Sequence, residues 1–148
     1  MRAPLSAPAV TPTAAGRTLP SWAAPLLVFV AVALVYAIHL DRPPHPDELY
    51  QIIPAEGLLA TGKPSIAEGL YTRALAQTWI IACCLRLFGD SLAVARLSSL
   101  LGVAGVAALL FVWLRRNASP AAAWIGAVGF GLSPFALTTA QFARIYGV

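Results

Sequence analysis

Three stretches of this chain carry no charged side chain: residues 18–40, 97–114 and 118–143. An α-helix crosses the ~30 Å hydrocarbon core of a bilayer in ~20 mostly apolar residues, so each run is long enough to be a span. In lipid the backbone must satisfy its own N–H and C=O groups, which makes helices the form such runs take. Only 11% of the 148 residues are charged and 59% are hydrophobic, where a soluble domain carries about a quarter charged. That is too little charge to cover a water-facing surface, and too much apolar sequence to bury in one small core. A disordered chain is excluded by the apolar content, and a disulfide-stapled module by the presence of only 2 Cys. The fold class expected is all-α, integral to the membrane.

The runs end on charges. The first stops at Asp41, the second at Arg115-Arg116 and the third at Arg144, which sets spans at about 21–40, 95–114 and 119–141. A fourth apolar segment, between Arg73 and Arg86, is short. Its length suits a re-entrant or interfacial helix, here placed at 73–88. Residues 1–20, rich in Pro and Ala with Arg2 and Arg17 as the only charges, are expected to form a flexible cytoplasmic tail. The first apolar run is longer than a signal-peptide core and lacks a small-residue cleavage site before Asp41, so it is read as an uncleaved anchor.

Lys and Arg accumulate on the cytoplasmic side. Arg2 and Arg17 therefore place the N-terminus inside, and the loop 41–72 outside. Five acids fall in that loop: Asp41, Asp47, Glu48, Glu56 and Glu68. Arg115-Arg116-Asn117 reads as a second cytoplasmic turn, which requires that 73–88 does not cross. A four-span arrangement would put both arginines outside, against the bias. Gly102/Gly105 and Gly126/Gly129/Gly131 are small residues that let helices approach closely in lipid. Ser133-Pro134 is expected to kink the last span. The segment GAVGFG lacks a preceding strand and is not a nucleotide loop. Nothing points to nucleic acid.

Chemistry concentrates in Pro43-Pro44-His45-Pro46-Asp47-Glu48-Leu49-Tyr50. The prolines restrict the backbone as it leaves the first span, and a helix is expected from Leu49 to about Ala60. Two readings stand for Asp47-Glu48. They are the acids of a helix start, or a carboxylate at the membrane surface acting as general base on an acceptor. Arg73 and Arg144 are the cations placed to bind a phosphate; the alternative is that they snorkel to headgroups. Arg96 reads as a local partner of Asp90, worth little. His39 and His45 have no metal-ligand spacing, so a metal is not supported; Cys83-Cys84 read as small buried hydrophobes. Trp22, Trp79, Trp113 and Trp124 read as interfacial belts.

The ordered set PHPDELY, TGKP, LYTRALAQTWIIACCLRLFGDSLAVARLSSLLGVAG, LRR and GFGLSPFALTTAQFARIY resembles the N-terminal part of GT-C membrane glycosyltransferases. It is most similar to family 39, with the protein O-mannosyltransferases, the lipid A aminoarabinose transferase and bacterial relatives. The resemblance runs from about residue 22 to the end, carried best by LFGDSLAVARLSSLLG and the Asp-Glu after the first span.

The resemblance implies three spans plus a juxtamembrane helix, an incomplete fold forming the first portion of a longer inverting glycosyltransferase of the bacterial plasma membrane. It implies Asp47 as the catalytic carboxylate, with Glu48 beside it, and a polyprenyl-phosphate-linked sugar as donor. Arg73 stands where a basic residue contacts donor phosphate in the aminoarabinose transferase, without that relative's Lys-Pro. Arg144 is the second donor-phosphate candidate. No cofactor is implied, and the acceptor and the sugar are left open. Alternatives are a non-catalytic membrane subunit, a lipid-binding relic of the family, or a transporter; against the last, no span carries a mid-helix acid or base.

Overall fold

A computed structural model describes residues 20–38 and 40–143. The N-terminal tail, His39 and Arg144 lie outside the described residues. The described chain is helical apart from one small hairpin. Its elements are α1 (Ala23–Ala37), α2 (Pro46–Thr61), β1 (Ser65–Ile66), β2 (Gly69–Leu70), α3 (Leu75–Phe88), α4 (Leu92–Asn117), α5 (Pro120–Gly131) and α6 (Pro134–Ala140).

α4 is the spine. Ser91 caps its start by accepting from the Val94 N–H, and Arg115 and Arg116 occupy its last turn, where cations complement the helix dipole. Its 26 residues rise about 39 Å, and it is the one described helix long and apolar enough by itself to cross a membrane. It begins at Leu92, earlier than the expected 95, because Ser91 caps it there, and Arg96 sits inside the helix with its side chain buried and paired.

α1 is shorter than the expected 21–40. It stops at Ala37, after which Ile38 is extended, and the carbonyls of the following turn are taken by side chains from elsewhere in the fold. The expected kink is present. Ser133 caps α6, Pro134 takes its first position, and α5 and α6 bend by 60° across the break. Proline suits that position because its missing N–H would have had no helical partner.

α4 touches α1, α3, α5 and α6, while α2 touches α3 and the hairpin. Near the Arg115 end, Val28, Ala107, Phe111, Ala123 and Ala127 form one apolar cluster. Small residues dominate it, and the end of the Leu114 side chain packs into the space a Cβ on Gly126 would take. Tyr36, Leu40, Leu100, Val103, Ala136 and Ala140 form the middle cluster. At the opposite end, Ile52, Ala55, Leu58, Ile81, Ala82 and Leu85 pack with Ala95 and Ala143. The buried face of α3 thus groups with α2 and the first turns of α4, and Gln77 of α3 donates to Ser98 Oγ at 2.9 Å. Outward, Leu34, Leu109 and Ile125 are 66%, 70% and 74% exposed, an apolar exterior that α1, α4 and α5 share.

The hairpin pairs Ser65 with Leu70 and Ile66 with Gly69, antiparallel, and lies against α2 at Gly57. A Cβ on Gly57 would sit 3.1 Å from the Ser65 carbonyl oxygen and 3.2 Å from its nitrogen. Gly57→Val is therefore expected to lower stability by about 1–3 kcal/mol through overpacking, although glycine is a poor helix former. A thermal melt in detergent checks this; an unchanged midpoint would show that the hairpin moves aside freely.

Candidate functional site

The loop leaving α1 crosses the start of α4, and the chemistry of the site follows from that crossing. Pro46 and the His45 cap start α2 three residues before the expected Leu49. His45 Nδ1 accepts from the Asp47 N–H at 3.2 Å, and the His45 N–H donates to Glu48 Oε2 at 2.8 Å. This is a capping box with an imidazole in the place usually held by a hydroxyl or carboxylate. It turns the adjacent acids in opposite directions: Asp47 is exposed and Glu48 fully buried.

Glu48 meets Arg96, not the solvent. Arg96 Nε donates to Glu48 Oε1 at 2.9 Å and Nη2 to Oε2 at 2.8 Å, the bidentate fork that suits guanidinium and carboxylate. The remaining donors go to backbone. Nη1 serves the carbonyls of Leu40 and Arg42, the latter at 2.8 Å, and Nη2 reaches Pro43 O at 3.3 Å. Glu48 Oε1 also accepts from the Ala143 N–H at 2.9 Å. The guanidinium has five N–H groups and the carboxylate about four acceptor positions, and this network uses all of them. Both side chains have no exposed surface. Burial alone would push the Glu48 carboxyl up; the Arg96 hydrogen bonds, the His45 and Ala143 N–H groups and the Arg96 charge outweigh it and hold it below the usual carboxylate range.

The expected local pair of Arg96 with Asp90 is thus replaced by a partner 48 residues away. Asp90 instead raises the Glu56 carboxyl, adding its repulsion to a larger desolvation effect. A sign of this was present in the sequence: an arginine inside LAVARLSSLL has no water to turn to, and a buried cation requires a carboxylate. What the sequence did not mark is which one.

The end of α6 closes over the same loop. Arg42 Nη2 donates to Gln141 O at 3.0 Å, and its guanidinium stands 4.0 Å over the Phe142 ring. His45 meets the edge of that ring with centroids 5.9 Å apart, and Gln141 Nε2 donates to Ile38 O at 3.0 Å. Four segments, from α1, α2, α4 and α6, are therefore tied at one point, and Asp47 projects from it. The Asp47 carboxylate lies 3.6 Å from His45 Nδ1, too far for a hydrogen bond.

Arg73 lies in the exposed connection between β2 and α3. Gln51, one helical turn beyond Asp47, donates to Tyr71 Oη at 2.6 Å, which holds this connection at the Asp47 end of the fold. Arg73 has no ion pair among the described residues. No group of three His, Cys, Asp or Glu among the described residues is arranged to hold a metal ion. Cys84 is buried and Cys83 exposed. No family model matches the chain, and comparison with curated proteins and with solved structures finds no match.

Proposed function

We propose that this chain is the donor-side portion of an inverting membrane glycosyltransferase, with Asp47 as its general base. The observation that carries the proposal is the opposite fate of the two acids. Glu48 is consumed by a buried joint, and that joint holds Asp47 out at one end of an apolar bundle. From Arg96 to Arg115, α4 rises about 28 Å, close to the hydrocarbon thickness of a bilayer. The loop 41–72, with five of the 6 acidic residues, and the Arg115-Arg116 turn are then on opposite faces of the membrane. The packing of α3 on α2 and on the start of α4, rather than along it, supports a juxtamembrane helix over a fourth span.

In this reading the donor is a sugar on polyprenyl phosphate, and Arg73 is an exposed cation on the Asp47 side for its phosphate. Asp47 takes the proton of an acceptor hydroxyl as that oxygen attacks the anomeric carbon from the face opposite the phosphate. The bond between the anomeric carbon and the phosphate oxygen breaks, its electron pair leaves with the lipid phosphate, and configuration inverts. Glu48 and Arg96 are positioning residues. The reading is tested by sugar release from a polyprenyl-phosphate donor in membranes carrying the intact gene product; no donor-dependent release would leave a non-catalytic membrane subunit as the better account.

Orientation has its own test. With Cys83 and Cys84 replaced by Ala, a cysteine at Asn117 is expected to resist an impermeant thiol reagent in whole cells, and one at Glu68 to react. Labelling at Asn117 would reverse the topology.

A further inference from the structure

At the end of the bundle away from Asp47, a cleft of about 470 Å³ opens between the start of α1 and the last turns of α4, lined by Ser21, Trp22, Pro25, Phe111, Arg115 and Arg116. Phe111 and Arg115 are one turn apart on α4 and share a face, so an aromatic wall continues directly into a guanidinium. Both arginines are exposed, and neither is in an ion pair among the described residues. The N-terminus of α1 reaches the same cleft. No side chain caps it and no acid stands in its first turn, so its positive dipole end adds to the two charges.

The chain has no side chain to neutralise this site. All 6 acids lie between Asp41 and Asp90, beyond the far end of α4. The segments on either side, 1–40 and 91–148, contain no Asp or Glu, and the tail preceding α1 brings only Arg2 and Arg17. No acidic side chain of residues 1–40 or 91–148 supplies the counter-charge, which leaves the cleft open to an anionic ligand. Trp22 is 62% exposed and Trp113 60%, and such rings favour the headgroup level of a bilayer. We propose that this cleft binds the phosphate headgroup of an anionic phospholipid in the leaflet on the Arg115 side. The guanidiniums take the phosphate oxygens, and the exposed Trp22 lies against the glycerol and upper acyl carbons. The proposal rests on the membrane reading above and is separate from the donor site.

The test is lipid retention by the purified chain in detergent, measured by native mass spectrometry with phosphatidylglycerol against phosphatidylcholine. Wild type is expected to retain phosphatidylglycerol selectively. Arg115→Gln with Arg116→Gln is expected to weaken that retention about thirtyfold, from about fivefold per arginine near a charged lipid surface. Arg115→Lys with Arg116→Lys is expected to keep most of it, and Arg86→Gln, a basic residue on α3, to leave it unchanged. A double Gln variant that still prefers phosphatidylglycerol would overturn the proposal, as would displacement of the lipid by inorganic phosphate, which would assign the cleft to a soluble phosphate ester. Carbonate extraction of membranes separates the two readings. A chain that washes off sinks the membrane reading itself, whereas one that stays but ignores lipid charge sinks only the cleft.

Discussion

Glu48→Gln is expected to lower stability by about 3–5 kcal/mol, because it leaves the Arg96 charge buried without its partner. The surrounding packing gives the cation no exit, since neither side chain of the pair has exposed surface. Arg96→Leu is expected to cost a similar amount by a different route: it strands the carboxylate and frees the carbonyls of Leu40, Arg42 and Pro43. Combining Glu48→Leu with Arg96→Leu removes both charges and should recover part of the loss. Recovery is incomplete because the loop carbonyls and the His45 and Ala143 N–H groups stay unpaired. The measurement is a double-mutant cycle of Glu48→Leu, Arg96→Leu and their combination, from unfolding in mild detergent, with Glu68→Gln as an exposed control expected within about 0.5 kcal/mol of wild type. Additive losses in the cycle would mean that the pair is not coupled.

The same joint fixes an acid limb. Glu48 has its folded value below the unfolded one, about 4.3, so its contribution is complete above that unfolded value and is lost as pH falls through the folded value. The gap in stability between wild type and Glu48→Gln should be flat above about pH 5 and close below about pH 4. Glu56 works in the opposite sense. Its carboxyl is raised by desolvation and then by Asp90, so it destabilises at neutral pH and that penalty is relieved as pH falls through its raised value. Glu56→Gln should remove this second, oppositely signed slope.

Asp47→Asn is expected to cut sugar transfer about 10²–10⁴-fold, the usual range for loss of a general base, while the melting curve stays near wild type. Asparagine keeps the backbone N–H that His45 accepts, so the start of α2 survives. The two acids then separate cleanly. Asp47→Asn loses turnover without stability, and Glu48→Gln loses stability and turnover together. Normal turnover in Asp47→Asn would remove it as the base and return the acid to the role of a first-turn helix residue.

Much of the architecture is legible without coordinates. The charge-free runs locate α1, α4 and α5, and the Ser133-Pro134 pair marks the 60° bend, while α2 is legible as a helix whose start at Pro46 precedes the expected Leu49. The hairpin at Ser65–Leu70 is not legible, since strands of two residues leave no alternation to count. Nor is the role of Arg96. The charge-free run begins only at Leu97, and the sequence offers Asp90 as the nearest partner, whereas a paired and buried charge sits inside a helix without ending it.

What the sequence alone determines is the class of the molecule and its polarity. Low charge dictates apolar helices, and the confinement of every acid to residues 41–90 dictates that the two ends differ. What only the tertiary structure decides is the division of labour between Asp47 and Glu48. They are neighbours of the same chemistry, and the local capping box turns Glu48 back toward His45 without deciding that it is buried. The difference comes from the loop after α1 crossing the second turn of α4 while Ala143 returns from the far side, contacts 48 and 95 residues apart in the chain. Helices that are apolar all round carry no hydrophobic face to fix their rotation, so the sequence leaves the direction of Arg96 open until packing sets it.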